Sequence, residues 1–363
     1  MTPKERVSAA FEHKNTDRTP IFEYVMAGHI PSALLGRDYF YFDSAGGRWD
    51  ERVREIGLDA ALAAYAKDRL DLAERLGHDL IYIVPNPPAS HGGVMLNVLD
   101  YDCDGPDPAE NVRLRTLKRR EQMEKGLLDP DECFLVYEYI NQEMQKRGLE
   151  IDLFAPAYFH GVWTDVDLMQ TMLLDEQTAR VHFELCTRMS VSRMDKLRRY
   201  GVRLAGVGGD FAGNRPLISP RCYREFIVPE VRKCAEHAHA LGMWAVNASD
   251  GDLWYVIEDF LTGTGVDAYM EIDMGAGMDL GKLKARFGNR ITLMGNMDCG
   301  SVLSFMSPVE IGGLTLACIE AGRGSGGHIF TASNAITEGV PAENYLAMVN
   351  AYRRYFCLPE ILI

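Results

Sequence analysis

The stretch Met243-Trp244-Ala245-Val246-Asn247-Ala248-Ser249-Asp250-Gly251-Asp252 decides how this chain folds. Its first half is apolar and of strand length, its second half is polar and turn-forming, and a helical pattern, LWYVIEDFL, follows at once. That order is a strand whose tip turns into a helix. The same order recurs along the chain. Further predicted strands are PIFEYV (20–25), HDLIYIV (78–84), EIDLFAPA (150–157), LAGVGGD (204–210), AYMEI (268–272), ITLMGN (291–296) and HIFTAS (328–333). Helical patterns separate the later ones, namely DLMQTMLLDEQTARVHFELCTRMSVSRMDKLRRY, SPRCYREFIVPEVRKCAEHAHALG and SPVEIGGLTLACIEAG. Ser219-Pro220 and Ser307-Pro308 are helix starts, serine at the cap and proline in the first turn.

With MWAVNAS (243–249), the strand candidates number eight, alternating with helices. This favours an α/β fold of the (β/α)8 TIM-barrel type, one domain over residues 1–363. Residues from about 86 to 130 fit the alternation poorly and read as an inserted, lid-like segment. In a parallel barrel the chemistry sits at the C-terminal ends of the strands.

Composition narrows the function. The chain is 47% hydrophobic and 25% charged, which is globular, and carries a formal net charge of -14. So acidic a surface argues against nucleic acid and anionic membrane as partners. No apolar run approaches the roughly 20 residues of a transmembrane helix, and the N-terminal residues carry no signal-peptide core, so a cytoplasmic location is expected. The eight cysteines are scattered without a CxxC pair and read as buried small hydrophobes. Neither Gly206-Val207-Gly208-Gly209 nor GRGSGGH (322–328) makes a nucleotide-binding fingerprint.

The strand tips supply the candidate site. Glu23 and Tyr24 lie near the end of the first predicted strand with His29 just after it, Tyr158, His160 and Trp163 follow the third, and Asp210 ends the fourth. Asn247 and Asp250 end the fifth, Glu271 and Asp273 the sixth, Asp298 follows the seventh and Asn334 the eighth. Carboxylates and amides converging on a barrel mouth suit a polar ligand, acid–base chemistry or a hard cation. Glu271 and Asp273, two apart on a strand, share one face. Each candidate also has a plainer reading: Asp210 and Asp298 as loop or helix caps, His29 and His160 as half-buried rings, Asp250 as the cap of the helix that starts near Leu253.

The stretches MTPKERVSAAFEHKNTDRTPIF, FAPAYFHGVWTDVDLMQTMLLDEQTAR, GGDFAGNRPLISPRCYREFIVPEVRKCAEHAHALG, VDAYMEIDMGAGMDLGKLKARFGNRITLMGNMDC and GGHIFTASNAITEGVPAENYLAMVNAYRRYF resemble, in order, the uroporphyrinogen decarboxylase-like superfamily. The resemblance implies a single (β/α)8 barrel and one of two activities. One branch decarboxylates the acetate arms of uroporphyrinogen; the other moves methyl groups to or from the cobalt of a corrinoid carried by a separate protein. True decarboxylases of this family place Arg-Gln-Ala-Gly-Arg after the first strand, where this chain has Tyr24-Val25-Met26-Ala27-Gly28-His29. The zinc methyltransferases place His-x-Cys after the fifth strand and Cys after the eighth. The matching positions here are Ala248, Asp250 and Asn334, so no zinc is expected at the family's usual site.

What the resemblance then implies is a corrinoid-dependent methyltransferase acting on a small methylated donor, an aryl methyl ether first of all. Asp250, Glu271 and His160 are the candidates for the acid that helps the leaving oxygen. Glu23, Tyr24, His29, Tyr158, Trp163, Asp210, Asn247, Asp298 and Asn334 are candidates for substrate binding, with Phe211 as a further stacking ring. The cobalamin-type cofactor would arrive on a corrinoid-binding protein docked at the C-terminal face. The alternatives are a quaternary-amine methyltransferase with an aromatic cage drawn from Tyr24, Tyr158, Trp163 and Tyr269, a uroporphyrinogen decarboxylase, a site in which Asp250, Glu271 and Asp298 hold a metal, and a barrel that only binds.

Overall fold

The structure is a computed structural model that describes residues 1–43, 48–88, 103 and 105–362. Seven strands form one parallel sheet in chain order: β1 (Leu80–Tyr82), β2 (Asp152–Phe159), β3 (Leu204–Gly208), β4 (Trp244–Ala248), β5 (Ala268–Met270), β6 (Thr292–Met294) and β7 (His328–Ile329). Six fall inside predicted apolar runs, and β2 extends two residues past its run, through Tyr158 and Phe159. The first predicted strand occupies the eighth place as an irregular segment. Its Ile21 bridges to Phe330 in parallel. The Phe330 amide donates to the Pro20 carbonyl at 2.8 Å, and on the other side the Asp79 amide donates to the Ile21 carbonyl at 2.7 Å. Residues 20–22 therefore join β7 to β1 and close the sheet. Pro20, which has no N–H to give to a ladder, keeps this segment from forming a regular strand.

Alternation along the strands builds two apolar layers. Phe22, Leu80, Phe154, Val246, Met270 and Ile329 fill the barrel. The opposite faces pack against the surrounding helices. Helix Pro3–Phe11 plugs the N-terminal end, its Phe11 ring stacked at 4.4 Å on Trp244. At this end the fully buried Asp79 carboxylate accepts from Arg6 Nη1 at 2.9 Å, from Arg18 Nη1 at 2.6 Å and Nη2 at 2.9 Å, and from the Ile21 amide at 3.0 Å. It ties the irregular segment to β1.

Helix boundaries follow local chemistry. Ser219 and Ser307 cap their helices, accepting from the amides of Cys222 and Glu310. The long helical pattern after β2 divides in two, Val166–Leu174 and Glu176–Arg199, because Asp175 accepts from the Thr178 amide and caps the second piece. The lid-like segment expected over about 86–130 lies partly outside the described residues; within it, Pro108–Glu124 is a helix packed on Val166–Leu174 and Glu176–Arg199. Among the described residues no helix is long and apolar enough to cross a membrane.

Candidate active site

The tips of β3, β4 and β5 bring carboxyl groups together at the mouth. After β4 the chain turns at Gly251, whose φ is +92°. A Cβ there would lie 2.7 Å from the backbone of Ala212 and Gly213, so only glycine allows the loops after β3 and β4 to meet. The Asp252 amide seals that contact by donating to the Gly213 carbonyl at 2.9 Å. The meeting of the loops places Asp250 beside Asp210, whose Oδ1 accepts from the Asp250 amide at 2.8 Å. Asp273 comes from the loop after β5 and accepts from the Gly251 amide at 3.2 Å. Glu271, just past β5, has a left-handed φ of +68°, a strained conformation for a residue with a side chain. It is 8% exposed.

Burial is the first cause of the electrostatics here. It pushes the Asp250 carboxyl up to about 7, and the charges of Asp210 and Asp273 add to the effect, opposed by a hydrogen bond from Asn334. Burial together with Asp210 and Asp250 holds Glu271 well above the usual carboxyl range. Asp210 is raised too, by burial before its neighbours. The Tyr24 hydroxyl is raised by burial and by the charges of Glu271, Asp210 and Asp250, which places it over the same cluster, its ring edge-on to Tyr82 at 4.4 Å. Burial and mutual repulsion thus favour the protonated form of these carboxyls, and a protonated carboxyl is able to donate a proton or a hydrogen bond.

Asn334 reaches the cluster from the loop after β7. Its Oδ1 accepts from the Ala335 amide, which fixes the amide orientation and turns Nδ2 toward Asp250 Oδ2 at 2.5 Å. The cap of the following turn is Asp252, whose Oδ1 accepts from the Trp254 amide at 3.0 Å. Asp250 is thus not the cap of that turn.

Other predicted site residues lie elsewhere. Asp298 caps the turn after β6, its Oδ1 accepting from the amides of Ser301 at 2.6 Å and Val302 at 3.0 Å. Asn247 donates to the Phe260 carbonyl at 3.1 Å, supporting the π-helical turn Asp259–Gly263. Glu23 is buried and accepts from Thr331 Oγ1 at 3.1 Å; burial raises it to about 7, opposed by bonds that include one from Tyr345. It faces the C-terminal helix Ala342–Tyr355. His29 pairs with Glu338 at 2.8 Å and contacts the Val340 carbonyl at 2.8 Å. His160 is buried and pushed down to about 3 by burial; its Nδ1 accepts from the Val162 amide and its ring also bonds the Gly209 backbone. With its ring held by backbone, His160 is a neutral brace between loops and has no free nitrogen to act as the acid.

The aromatic candidates also scatter. Tyr158 would share the barrel-facing side with Phe154 if β2 alternated strictly. The register shift between Pro156 and Tyr158 turns it instead toward Glu230, Cys186 and Cys234 in the helix layer. Phe211 is buried and stacked on Tyr223 at 4.3 Å. Tyr269 packs against Phe260, and Trp163 stands at the rim, 43% exposed. Tyr24, Tyr158, Trp163 and Tyr269 do not form one cage. Three groups were missed from the sequence. Phe159, 58% exposed, projects at the end of β2. Tyr82 lies inside the barrel under Tyr24, a position no local signal marks. Cys299, near Ser333 at 3.6 Å and within the field of Asp250 and Glu23, is raised by burial to about 11. Its place after a strand tip was the available signal.

Residues 164–355, more than half of the chain, match the family model described as uroporphyrinogen decarboxylase (URO-D). The chain belongs to this family. A uroporphyrinogen decarboxylase of Methylobacillus flagellatus is 35% identical over 102 residues, 28% of this chain and 26% of that one. One from Coxiella burnetii is 25% identical over 146 residues, 38% of each. Well under two thirds of these relatives' length is thus covered. A methyltransferase from Methanosarcina mazei shares the fold at a TM-score of 0.66 and 15% identity, over 98% of this chain and 99% of that chain. The URO-D membership and the shared fold agree with the barrel expected from the sequence.

A URO-D zinc site of the His-x-Cys and Cys kind does not fit these residues. Ala248 offers no ligand atom, and Asn334 is turned onto Asp250. Among the described residues no three His, Cys, Asp or Glu side chains are arranged to hold a metal ion.

Proposed function

We propose that this URO-D barrel is a methyltransferase that takes the methyl group of an aryl methyl ether and passes it to the cobalt of a corrinoid carried by a separate protein. One observation carries the reading: Asp250, at the tip of β4 beside Asp210 and Asn334, is a carboxyl raised by burial to about 7. The reaction needs such an acid. When the methyl carbon is attacked in line, the aryl oxygen departs with the bonding pair, and a proton delivered to that oxygen converts a poor leaving group into a neutral phenol. Asp250 supplies the proton and Asn334 holds its carboxyl in place. The Asp210 and Asp273 charges keep the proton on Asp250 until the leaving oxygen needs it. The corrinoid supplies the nucleophile, and nothing else in the scheme is asked of it.

The electrostatics speak for this branch against tetrapyrrole decarboxylation. A substrate with eight carboxylates needs fixed cations. The charges that act on Asp210, Asp250 and Glu271 here are carboxylates alone. The fold shared with the Methanosarcina methyltransferase is a further support. For the partner, the rim offers apolar side chains: Phe159 at the end of β2 and Trp163 and Leu217 on the loops after β2 and β3 are 58%, 43% and 43% exposed. They suit a corrinoid protein docking over the C-terminal face.

The test is to mix the protein with a cobalt(I) corrinoid protein and a panel of methoxyarenes, and to follow conversion to the methylated corrinoid by absorbance. Conversion with at least one aryl ether, and its loss in Asp250→Asn, is the expected result. Decarboxylation of uroporphyrinogen with no methyl transfer from any donor would overturn the reading.

A further inference from the structure

Helices Pro308–Gly322 and Ala342–Tyr355 both descend from the mouth, side by side on the outside of the barrel. A groove of about 850 Å3 runs between them, lined by Val309, Gly312 and Leu316 on one side and Leu346, Ala347 and Ala351 on the other. At its upper end Phe305 and Val309 project, 86% and 85% exposed. The outer face of the first helix runs Val309, Gly312, Gly313, Leu316, Ala317, with no charge among them. Its nearest acid, Glu310, is drawn back to Ser307, whose Oγ donates to it at 2.6 Å. The inner face, with Ile311, Cys318 and Ile319, is buried. A helix apolar on both faces belongs in an interior. Glycine weakens a helix. Gly312 rests on Ala351, but a Cβ at Gly313 would meet nothing within 4 Å, so the chain's own packing asks for no glycine there. A second helix lying close across that point would.

Positions along this face decide what covers it. Gly312 is level with Ala351, and Met306, whose carbonyl accepts from Asn344 Nδ2 at 3.1 Å, is level with Asn344. A two-fold axis crossing the helices midway between Val309 and Gly312 therefore also passes midway between Glu343 and Arg354, to within about one residue rise of about 1.5 Å. That single operation sets Phe305 on the partner's Leu316, Val309 over the partner's Gly312 and Glu343 beside the partner's Arg354, each twice. Both charged side chains are exposed, and the pair that Arg354 makes with Glu360 at 3.0 Å is an exposed one. We infer that this face joins two copies of the chain in an isologous dimer, the paired helices antiparallel across the axis. Projecting side chains, a groove and opposite charges at the two ends of one face, all satisfied by one two-fold, make a self-complementary surface. An unrelated protein would need no such match. The antiparallel arrangement points the two mouths in opposite directions, so neither mouth is covered by the other copy.

Sedimentation equilibrium of the full chain from about 1 to about 100 µM tests this. The mass is expected to rise with concentration from 40.6 kDa toward twice that value. Val309→Asp, which sets two charges close to the axis, is expected to weaken the dimer by about 100-fold or more. Leu173→Asp, on the exposed side of helix Val166–Leu174, is expected to change nothing. Glu343→Arg and Arg354→Glu, each of which opposes like charges, are each expected to weaken the dimer by about ten-fold. The double variant re-forms both pairs with the signs exchanged and is expected to return to within about three-fold of the parent. Circular dichroism separates a lost contact from a lost fold, and if Val309→Asp does not fold, Phe305→Asp and the charge exchange still decide. A mass of one chain at every concentration, a dimer that Val309→Asp leaves intact, or a double variant no tighter than the single ones overturns the inference. So does a monomer whose Val309→Asp variant instead loses binding to a cobalt corrinoid protein, since the face would then belong to that partner.

Discussion

Replacing Asp250 by asparagine tests the site through stability as well as rate, and the two should move in opposite directions. Asp250 is raised from an ordinary 3.8 to about 7. A carboxyl whose folded value lies above its unfolded one favours folding where it is protonated. That contribution is fully present below about 4 and is lost as pH rises through about 7, because the unfolded chain then releases a proton more readily than the folded one. A displacement of this size corresponds to at most about 4 kcal/mol, at about 1.4 kcal/mol per pH unit. Its coupling to Asp210 and Asp273 and its partial exposure reduce a realistic expectation to about 1–3 kcal/mol. Asparagine carries no charge to desolvate, and its Oδ1 still accepts from Asn334. Asp250→Asn should therefore be more stable than the parent by about 1–3 kcal/mol at pH 8 and nearly equal to it at about pH 4. Urea titrations at the two pH values read this directly. The same variant should transfer methyl groups about 100-fold more slowly, with a smaller loss for ethers of acidic phenols, whose oxygen leaves without help. A variant less stable than the parent at pH 8, or active on every donor, would refute the argument that Asp250 is a buried acid.

The remaining predictions concern its surroundings. The parent's rate should fall as pH rises through about 7, where Asp250 loses its proton. In Asn334→Ala that falling limb should move to higher pH, because the lost hydrogen bond favoured the charged form; a limb that stays in place would remove Asn334 from the site. Gly251→Ala, with φ +92° and a Cβ 2.7 Å from the Ala212 backbone, should push the β3 and β4 loops apart and cost about 1–3 kcal/mol, seen as a lowered thermal midpoint with a larger loss of activity. Asp79→Ala, which leaves Arg18 without its carboxylate, removes one of the two carboxylates of Arg6 and frees the Ile21 amide, should cost about 3–5 kcal/mol in urea unfolding, and a loss under about 1 kcal/mol would show that barrel closure does not depend on it.

The sequence by itself determined the barrel. Parallel strands buried on both faces read as short apolar runs, four of the later ones ending in turn-forming Asp210, Ser249, Asn296 and Ser333, so β1–β7 lie on the runs. Serine–proline pairs marked helix starts for the same local reason. The URO-D resemblance and the convergence of Asp210, Asp250, Glu271 and Asn334 were also legible, because a closed parallel sheet sends all its strand ends to one face. Only the tertiary structure decided which side chains at those ends come together at the mouth. One irregular residue pair in β2 sends Tyr158 into the helix layer. Backbone amides that happen to lie nearby make a cap of Asp298 and a brace of His160, while Glu271, in a left-handed turn, comes under the charges of Asp210 and Asp250. The physical reason is one of range. Strand and helix follow from the character of neighbouring residues, but the direction and charge state of a side chain depend on groups that folding brings from forty or eighty positions away, as Asp210 and Asn334 come to Asp250.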